Sequence, residues 1–238
     1  MYQFFGKEKA DIGMFYPFDE KQTRHARNAA RLTGERVRIV VNGQAYFATC
    51  KAQGKQYGAM IEEADPAMHE LQEEVTLAMA WIRKDNFEWV LEKAAELGVK
   101  RIVPFTSRYT SARIPDNTNK LYERWNAILE EAASQCKRNL IPDLCETVRL
   151  EDLPLYKTDI NLAAYEKAYG SAPYLHTCLD QGKNVLIVIG PEGGFCEEEN
   201  TWLLQQGFTS VTFGNRILRA ETAAVYACAV INEYLGDR

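Results

Sequence analysis

Val185-Leu-Ile-Val-Ile-Gly-Pro-Glu-Gly-Gly-Phe195 is the stretch on which the reading of this chain depends. Five consecutive apolar residues, four of them β-branched, are too few for a helix and carry no polar face, so they read as a strand buried on both sides, the setting of a parallel sheet. Gly190, Gly193 and Gly194 then supply a backbone free to take positive φ or to approach a ligand closely, and Pro191 stiffens the bend. Such a turn lies at the carboxyl end of a strand, where open α/β sheets bind ligands. It has neither the Lys-Ser/Thr of a phosphate loop nor the G-x-G-x-x-G spacing of a dinucleotide site. Glu192 would repel a phosphate and suits a ligand that carries positive charge. An ordinary Gly-Pro turn between strand and helix accounts for the same residues if nothing else joins them.

Something does. A β-rich run at 209–213 leads into Phe213-Gly-Asn-Arg-Ile-Leu-Arg-Ala-Glu-Thr-Ala223, and 221–235 reads as a helix stopped by Gly236. Two strand-to-helix loops therefore flank one site. The pair, G-P-E-G-G followed by L-G-x-R-[IV]-L-R-x-E-T-A, resembles the signature of the ribosomal RNA small subunit methyltransferase E family of the SPOUT class. Phe213 stands where Leu is usual and Asn215 where Pro is frequent, and neither change removes chemistry.

The resemblance implies a cofactor, S-adenosylmethionine, held by Gly190, Pro191, Glu192, Gly193, Gly214, Asn215, Ile217 and Leu218. It implies a SPOUT-type parallel sheet with a C-terminal trefoil knot, a PUA-like barrel before it, and a homodimer. The small residues Ala223 and Ala227, with Val230, form the helix face that would allow close pairing. Family members carry Glu-Gln-Ser/Cys-x-Arg where this chain has Ser134-Gln-Cys-Lys-Arg138, so the Gln and the Arg are kept and the acid is not.

Composition agrees with a folded protein of ordinary kind. The 238 residues are 46% hydrophobic and 26% charged, enough for a buried core, and no apolar run approaches a membrane span. The first residues show no apolar signal segment, which predicts a cytoplasmic protein. Six cysteines, at 50, 136, 145, 178, 196 and 228, form no C-x-x-C pair and no zinc spacing, so reduced thiols and no metal site are expected.

A net charge of −5 argues against a nucleic-acid partner until it is divided along the chain. Between residues 21 and 55 stand Lys21, Arg24, Arg27, Arg31, Arg36, Arg38, Lys51 and Lys55 against Glu35 alone. Such a local excess is what phosphate contacts require, and a solvated surface would show it too. The same region reads as β: strands at 37–41 and 44–50 flank Asn42-Gly43, the dipeptide of a tight type I′ hairpin, and 57–61 is a further strand. A helix over 19–32 carries Arg24, His25, Arg27 and Arg31.

The acidic, Pro-containing segment 62–70 is read as the linker, giving a PUA-like RNA-binding barrel over 1–68 and a methyltransferase domain over 69–238. Beyond it strands at 75–81, 101–105 and 160–164 alternate with helices at 86–97, 117–136 and 173–181, the pattern of an α/β parallel sheet covered on both faces. Arg24, Arg27, Arg31, Arg108, Arg113 and Arg138 are the candidate RNA contacts, the last being equally readable as a helix C-cap.

The implied reaction is methylation of uridine N3 in small-subunit (16S) ribosomal RNA, free or assembled. N3 is protonated at neutral pH, so the site must take that proton or stabilise the uracil anion. Arg219, in the loop that should border the methyl group, is the candidate catalytic cation and Glu221 the alternative base. A SPOUT enzyme methylating a ribose 2′-hydroxyl, and a non-catalytic RNA-binding protein, are the other readings.

Overall fold

The structure, a computed structural model, describes residues 1–112, 114 and 117–236. Contacts divide it into two compact units, Met1–Glu70 with Ala133–Leu140, and Leu71–Ala132 with Ile141–Arg238. The last residues of the helix Asn119–Gln135 and the turn that follows it thus belong to the first unit, although they come after the second unit's first half in sequence.

The first unit is a five-stranded sheet made of β1 (Gln3–Gly6), β2 (Phe15–Pro17), β3 (Arg36–Val41), β4 (Gln44–Gln53) and β5 (Gln56–Asp65), in the order β1-β3-β4-β5-β2. It curls into a half-barrel. β1 runs parallel to β3 and every other ladder is antiparallel. Asn42 and Gly43 take φ of 49° and 80°, both positive as a type I′ hairpin demands. The strand read at 57–61 continues to Asp65, so half of the expected linker is sheet.

The helix expected over 19–32 is shorter. An Asp19/Gln22 capping box opens α1 (Glu20–Arg24), a π turn follows over His25–Ala29, and Arg31 ends the segment at φ 53°. The wider turn lets Ala26 and Leu32 both enter the core of the half-barrel.

Arg38 is 1% exposed and spends its guanidinium inside the unit. It donates to Asp65 and Gln3 at 2.7 Å, to the carbonyl of Lys137 at 2.9 Å and to Asn139 at 3.0 Å. A buried guanidinium is tolerable only when its donors are met, and here they are.

The second unit is a parallel sheet of β6 (Val75–Ala80), β7 (Arg101–Thr106), β8 (Asp143–Leu144), β9 (Val148–Arg149), β10 (Ile160–Ala164), β11 (Val185–Ile189) and β12 (Thr209–Val211), ordered β12-β10-β11-β6-β7-β8 with β9 also on β7. Side chains alternate between two cores. Val75, Leu77, Met79, Val185, Ile187 and Ile189 face α2 (Lys84–Glu96), α3 (Asn119–Gln135) and α5 (Ala220–Gly236), whereas Ala78, Ala80, Leu186 and Val188 face Leu203 of α4 (Glu197–Gln205) with Phe195 and Phe208. This two-sided burial is why the run at 185–189 is apolar without interruption.

Two expectations are corrected. The helix at 173–181 is only a short 3₁₀ turn at Leu175–Cys178, because Tyr174 pairs with Thr212 as an added parallel bridge and the Pro173 carbonyl accepts the Thr212 N–H at 3.0 Å. The face of Ala223 and Ala227 is buried in the chain's own core, leaving Thr222 and Tyr226 exposed on α5. No helix among the described residues is long and apolar enough to cross a membrane.

Candidate functional site

Because β12, β10 and β11 are adjacent and parallel, their carboxyl ends meet along one edge. Three segments leave that edge: Ala164-Tyr165-Glu166, Gly190 to Phe195, and Thr212 to Leu218. They enclose a cavity of about 250 Å³ that Ala220 and Ala223 at the start of α5 complete. The walls are mainly backbone and apolar side chains, with Glu166, Glu192 and Arg216 as the charged members.

The first loop is shaped by its glycines. The Gly194 N–H donates to the Pro191 carbonyl at 2.9 Å, closing a turn in which Gly194 takes φ 67°. A Cβ at Gly190 would meet the Phe195 ring at 3.1 Å, one at Gly193 would come within 2.8 Å of Tyr109 Cβ, and one at Gly194 within 2.5 Å of the Glu166 carboxylate. Gly193 lines the cavity, and its missing side chain also makes room for Tyr109. Glu192 accepts the backbone N–H of Arg83 at 3.0 Å. Cys196 then caps α4, its Sγ accepting from the Glu199 N–H at 3.4 Å while Glu199 accepts the Cys196 N–H at 2.9 Å.

In the second loop Gly214 has φ 102° and its N–H reaches Thr212 Oγ1 at 3.2 Å. A side chain here would be strained whatever the space. Of the cofactor candidates, Gly190, Pro191, Glu192, Gly193, Gly214, Ile217 and Leu218 line the cavity. Asn215 is exposed on the same loop and is outside the lining. Arg219 stands between the lining residues Leu218 and Ala220, is exposed, and makes no side-chain hydrogen bond or ion pair among the described residues. Glu221, in the first turn of α5, is partly buried and outside the cavity lining, and its buried Oε2 has no hydrogen-bond partner among the described residues.

Sequence reasoning missed Glu166, Thr212 and Arg216 as lining residues. The signal for Glu166 was available, since it follows the end of β10 by two residues. Arg216 and Arg219 could not be ranked from sequence, because which of them faces the cavity depends on where the loop ends and the helix begins.

The candidate RNA contacts separate. Arg24 and Arg27 are exposed on the first unit, with Arg24 beside Glu20 and Arg27 5.4 Å from the Tyr57 ring centroid. Arg31 is exposed as well. Arg108 borders a second cavity of about 460 Å³ with Ser107, Arg149, Cys196 and Trp202, its guanidinium 3.7 Å from Glu198. Arg113 lies outside the described residues. Arg138 is corrected: it is 2% exposed and paired with Glu70 at 2.6 Å, and Glu70 also accepts the N–H groups of Asn139 and Leu140. A side chain so enclosed cannot reach a phosphate. Of the wider basic excess, Arg38 is likewise interior and Arg36 pairs with Glu63.

Comparison with known proteins gives the arrangement a context. The RNA methyltransferase domain family matches residues 69–232. The chain is 32% identical over 228 residues to ribosomal RNA small subunit methyltransferase E of Mesomycoplasma hyopneumoniae (strain 232), covering 95% of this chain and 96% of that protein. It is 28% identical over 238 residues to the protein of the same name from Bacillus subtilis (strain 168), covering 95% and 93%. A crystal structure of a ribosomal RNA small subunit methyltransferase E from Neisseria gonorrhoeae bound to S-adenosyl methionine superposes with a TM-score of 0.88 at 26% identity, over 98% of this chain and 97% of that one.

Proposed function

The chain belongs to the ribosomal RNA small subunit methyltransferase E family, and from that premise we propose that it methylates N3 of a uridine in small-subunit ribosomal RNA with S-adenosylmethionine as methyl donor. The observation that carries the reading is the cavity at the joined carboxyl ends of β12, β10 and β11, built from both glycine loops. The residues fit the donor. Apolar and backbone walls suit an adenosine, and the Glu166 carboxylate and the Arg216 guanidinium suit a ligand with a cationic group and a carboxylate.

When bound, S-adenosylmethionine supplies an electrophilic methyl group on a positively charged sulfur. The chain's own part is to hold the target base in line with that methyl and to manage the N3 proton. As the N–H bond breaks, negative charge spreads onto O2 and O4 of the uracil. Arg219, which follows the lining residue Leu218 and has no side-chain partner among the described residues, is assigned to donate a guanidinium N–H to one of those oxygens. Glu221, two residues on and with an unpartnered carboxylate oxygen among the described residues, is assigned as the alternative acceptor of the proton.

We assign the first unit to RNA binding as a PUA-like module, with Arg24, Arg27 and Arg31 as phosphate contacts and Arg108 and Arg113 contributing from the second. The trefoil knot and the cytoplasmic homodimer belong to the same proposal. The pairing surface is assigned to the outer side of α5, where Tyr226 is exposed, in place of the buried Ala223 and Ala227.

The test is transfer of label from methyl-labelled S-adenosylmethionine to small subunits, and separately to naked 16S rRNA, from a strain lacking the activity. Label in the RNA supports the reading. No transfer by a protein that binds the cofactor would favour an RNA-binding role alone.

A further inference from the structure

The cavity holds two carboxylates, and they are not equivalent. Glu192 is engaged, with one oxygen accepting the Arg83 N–H. Glu166 makes no hydrogen bond or ion pair among the described residues and is exposed, yet it is not adrift. Its Oε1 and Oε2 would lie 2.5 and 3.0 Å from a Cβ built on Gly194, so the carboxylate rests directly against the Cα of the glycine turn. That turn is fixed by its own hydrogen bond and by the positive φ of Gly194. The glycine therefore does two things: it allows the backbone conformation, and it leaves the space in which a free negative charge sits on the cavity wall.

We propose that Glu166 is a specificity-determining residue that distinguishes S-adenosylmethionine from its demethylated product, S-adenosylhomocysteine. The inference rests on the cofactor reading above. The two molecules share adenosine, ammonium and carboxylate, and differ in one methyl group and one charge: the sulfonium is positive and the product thioether is neutral. Contacts to the shared parts cannot tell them apart. A carboxylate that lines the cavity, has no ion-pair partner among the described residues and faces the sulfur can, because it attracts the sulfonium and gains nothing from the neutral thioether. Glu166 thus biases the site towards the loaded donor and weakens the hold on spent cofactor once the methyl has left, a step that limits turnover in many enzymes.

The experiment is calorimetric binding of both molecules to the wild-type chain and to Glu166→Gln, at low and high salt. The substitution keeps size and hydrogen-bonding capacity and removes the charge. Loss of about tenfold in S-adenosylmethionine affinity with less than a twofold change for S-adenosylhomocysteine is expected, the size of one charge pair at a partly open site. The donor-to-product affinity ratio should fall with salt in the wild type and be flat in the variant. An unchanged ratio overturns the inference, whether both affinities fall together, as for a contact to the ribose, or neither moves. Wild-type protein that binds neither molecule would overturn the cofactor reading as well, an outcome distinct from a failed ratio.

Discussion

The Glu192 carboxylate accepts the backbone N–H of Arg83 at 3.0 Å, tying the turn after β11 to the residue that precedes α2. A side chain whose charge had suggested ligand contact is thereby also a latch between two loops at the sheet edge. Glu192→Gln retains an acceptor and should leave cofactor affinity within about twofold. Glu192→Ala removes the latch, at about 0.5–1.5 kcal/mol for one hydrogen bond, and should weaken binding about three- to tenfold. Calorimetry on both variants checks this, and equal losses would show that the charge matters and the latch does not.

Gly193→Ala places a methyl 2.8 Å from Tyr109 Cβ, an atom fixed to its own backbone and unable to swing away. Overpacking of this kind costs about 1–3 kcal/mol, and the loop rather than the sheet should yield. Cofactor affinity is expected to fall at least tenfold while the thermal midpoint falls by only a few degrees. Tyr109→Gly in the same chain should restore part of the affinity. No recovery would mean that the alanine obstructs the ligand directly.

The buried pairs of the first unit predict effects on stability rather than on RNA. Arg138→Ala strands the Glu70 carboxylate and should cost about 3–5 kcal/mol by denaturant titration, with RNA affinity of the folded fraction unchanged. Selective loss of RNA binding at full stability would return Arg138 to the phosphate contacts.

Asp65 adds a pH dependence. Burial works to raise the pKa of its carboxyl, but the Arg38 guanidinium and the Ala67 N–H outweigh it and hold the group below the ordinary carboxylate value. Its stabilisation is complete above the unfolded pKa of about 4 and is lost as pH falls through the lower folded value. Asp65→Asn should therefore be less stable at neutral pH and show a shallower loss of stability below about pH 4. Parallel pH-stability curves for the two proteins would contradict the assignment.

Much of the second unit was legible because its signals are local. A five-residue apolar run, the two glycine loops and the final alanine-rich helix each state their structure within a short stretch. The hairpin at Asn42-Gly43 was legible for the same reason. What was not legible depends on partners distant in sequence. β1 and β2 are four and three residues long, too short for a periodic signal. Tyr174 is held extended by Thr212. The interior position of Arg38 is set by Gln3, Asp65, Lys137 and Asn139, and that of Arg138 by Glu70. A count of basic residues therefore overstated the exposed patch.

The cations that remain exposed should divide by role. Arg27→Ala should weaken RNA binding roughly uniformly across sequences and lower the salt slope by about one. Arg31→Gly should do the same without strain, because Arg31 already occupies φ 53°. Arg219→Ala should instead cut the single-turnover methylation rate about 100-fold at saturating RNA and cofactor, the scale of losing one preorganised donor to a developing anion. A wild-type rate would remove Arg219 from the chemistry.

Nucleoside mass spectrometry of small-subunit RNA treated with the protein and S-adenosylmethionine identifies the atom that receives the methyl group. 3-Methyluridine is expected as the new nucleoside, dependent on cofactor and formed about 100-fold more slowly by Arg219→Ala. A ribose-methylated nucleoside, or none, would contradict it.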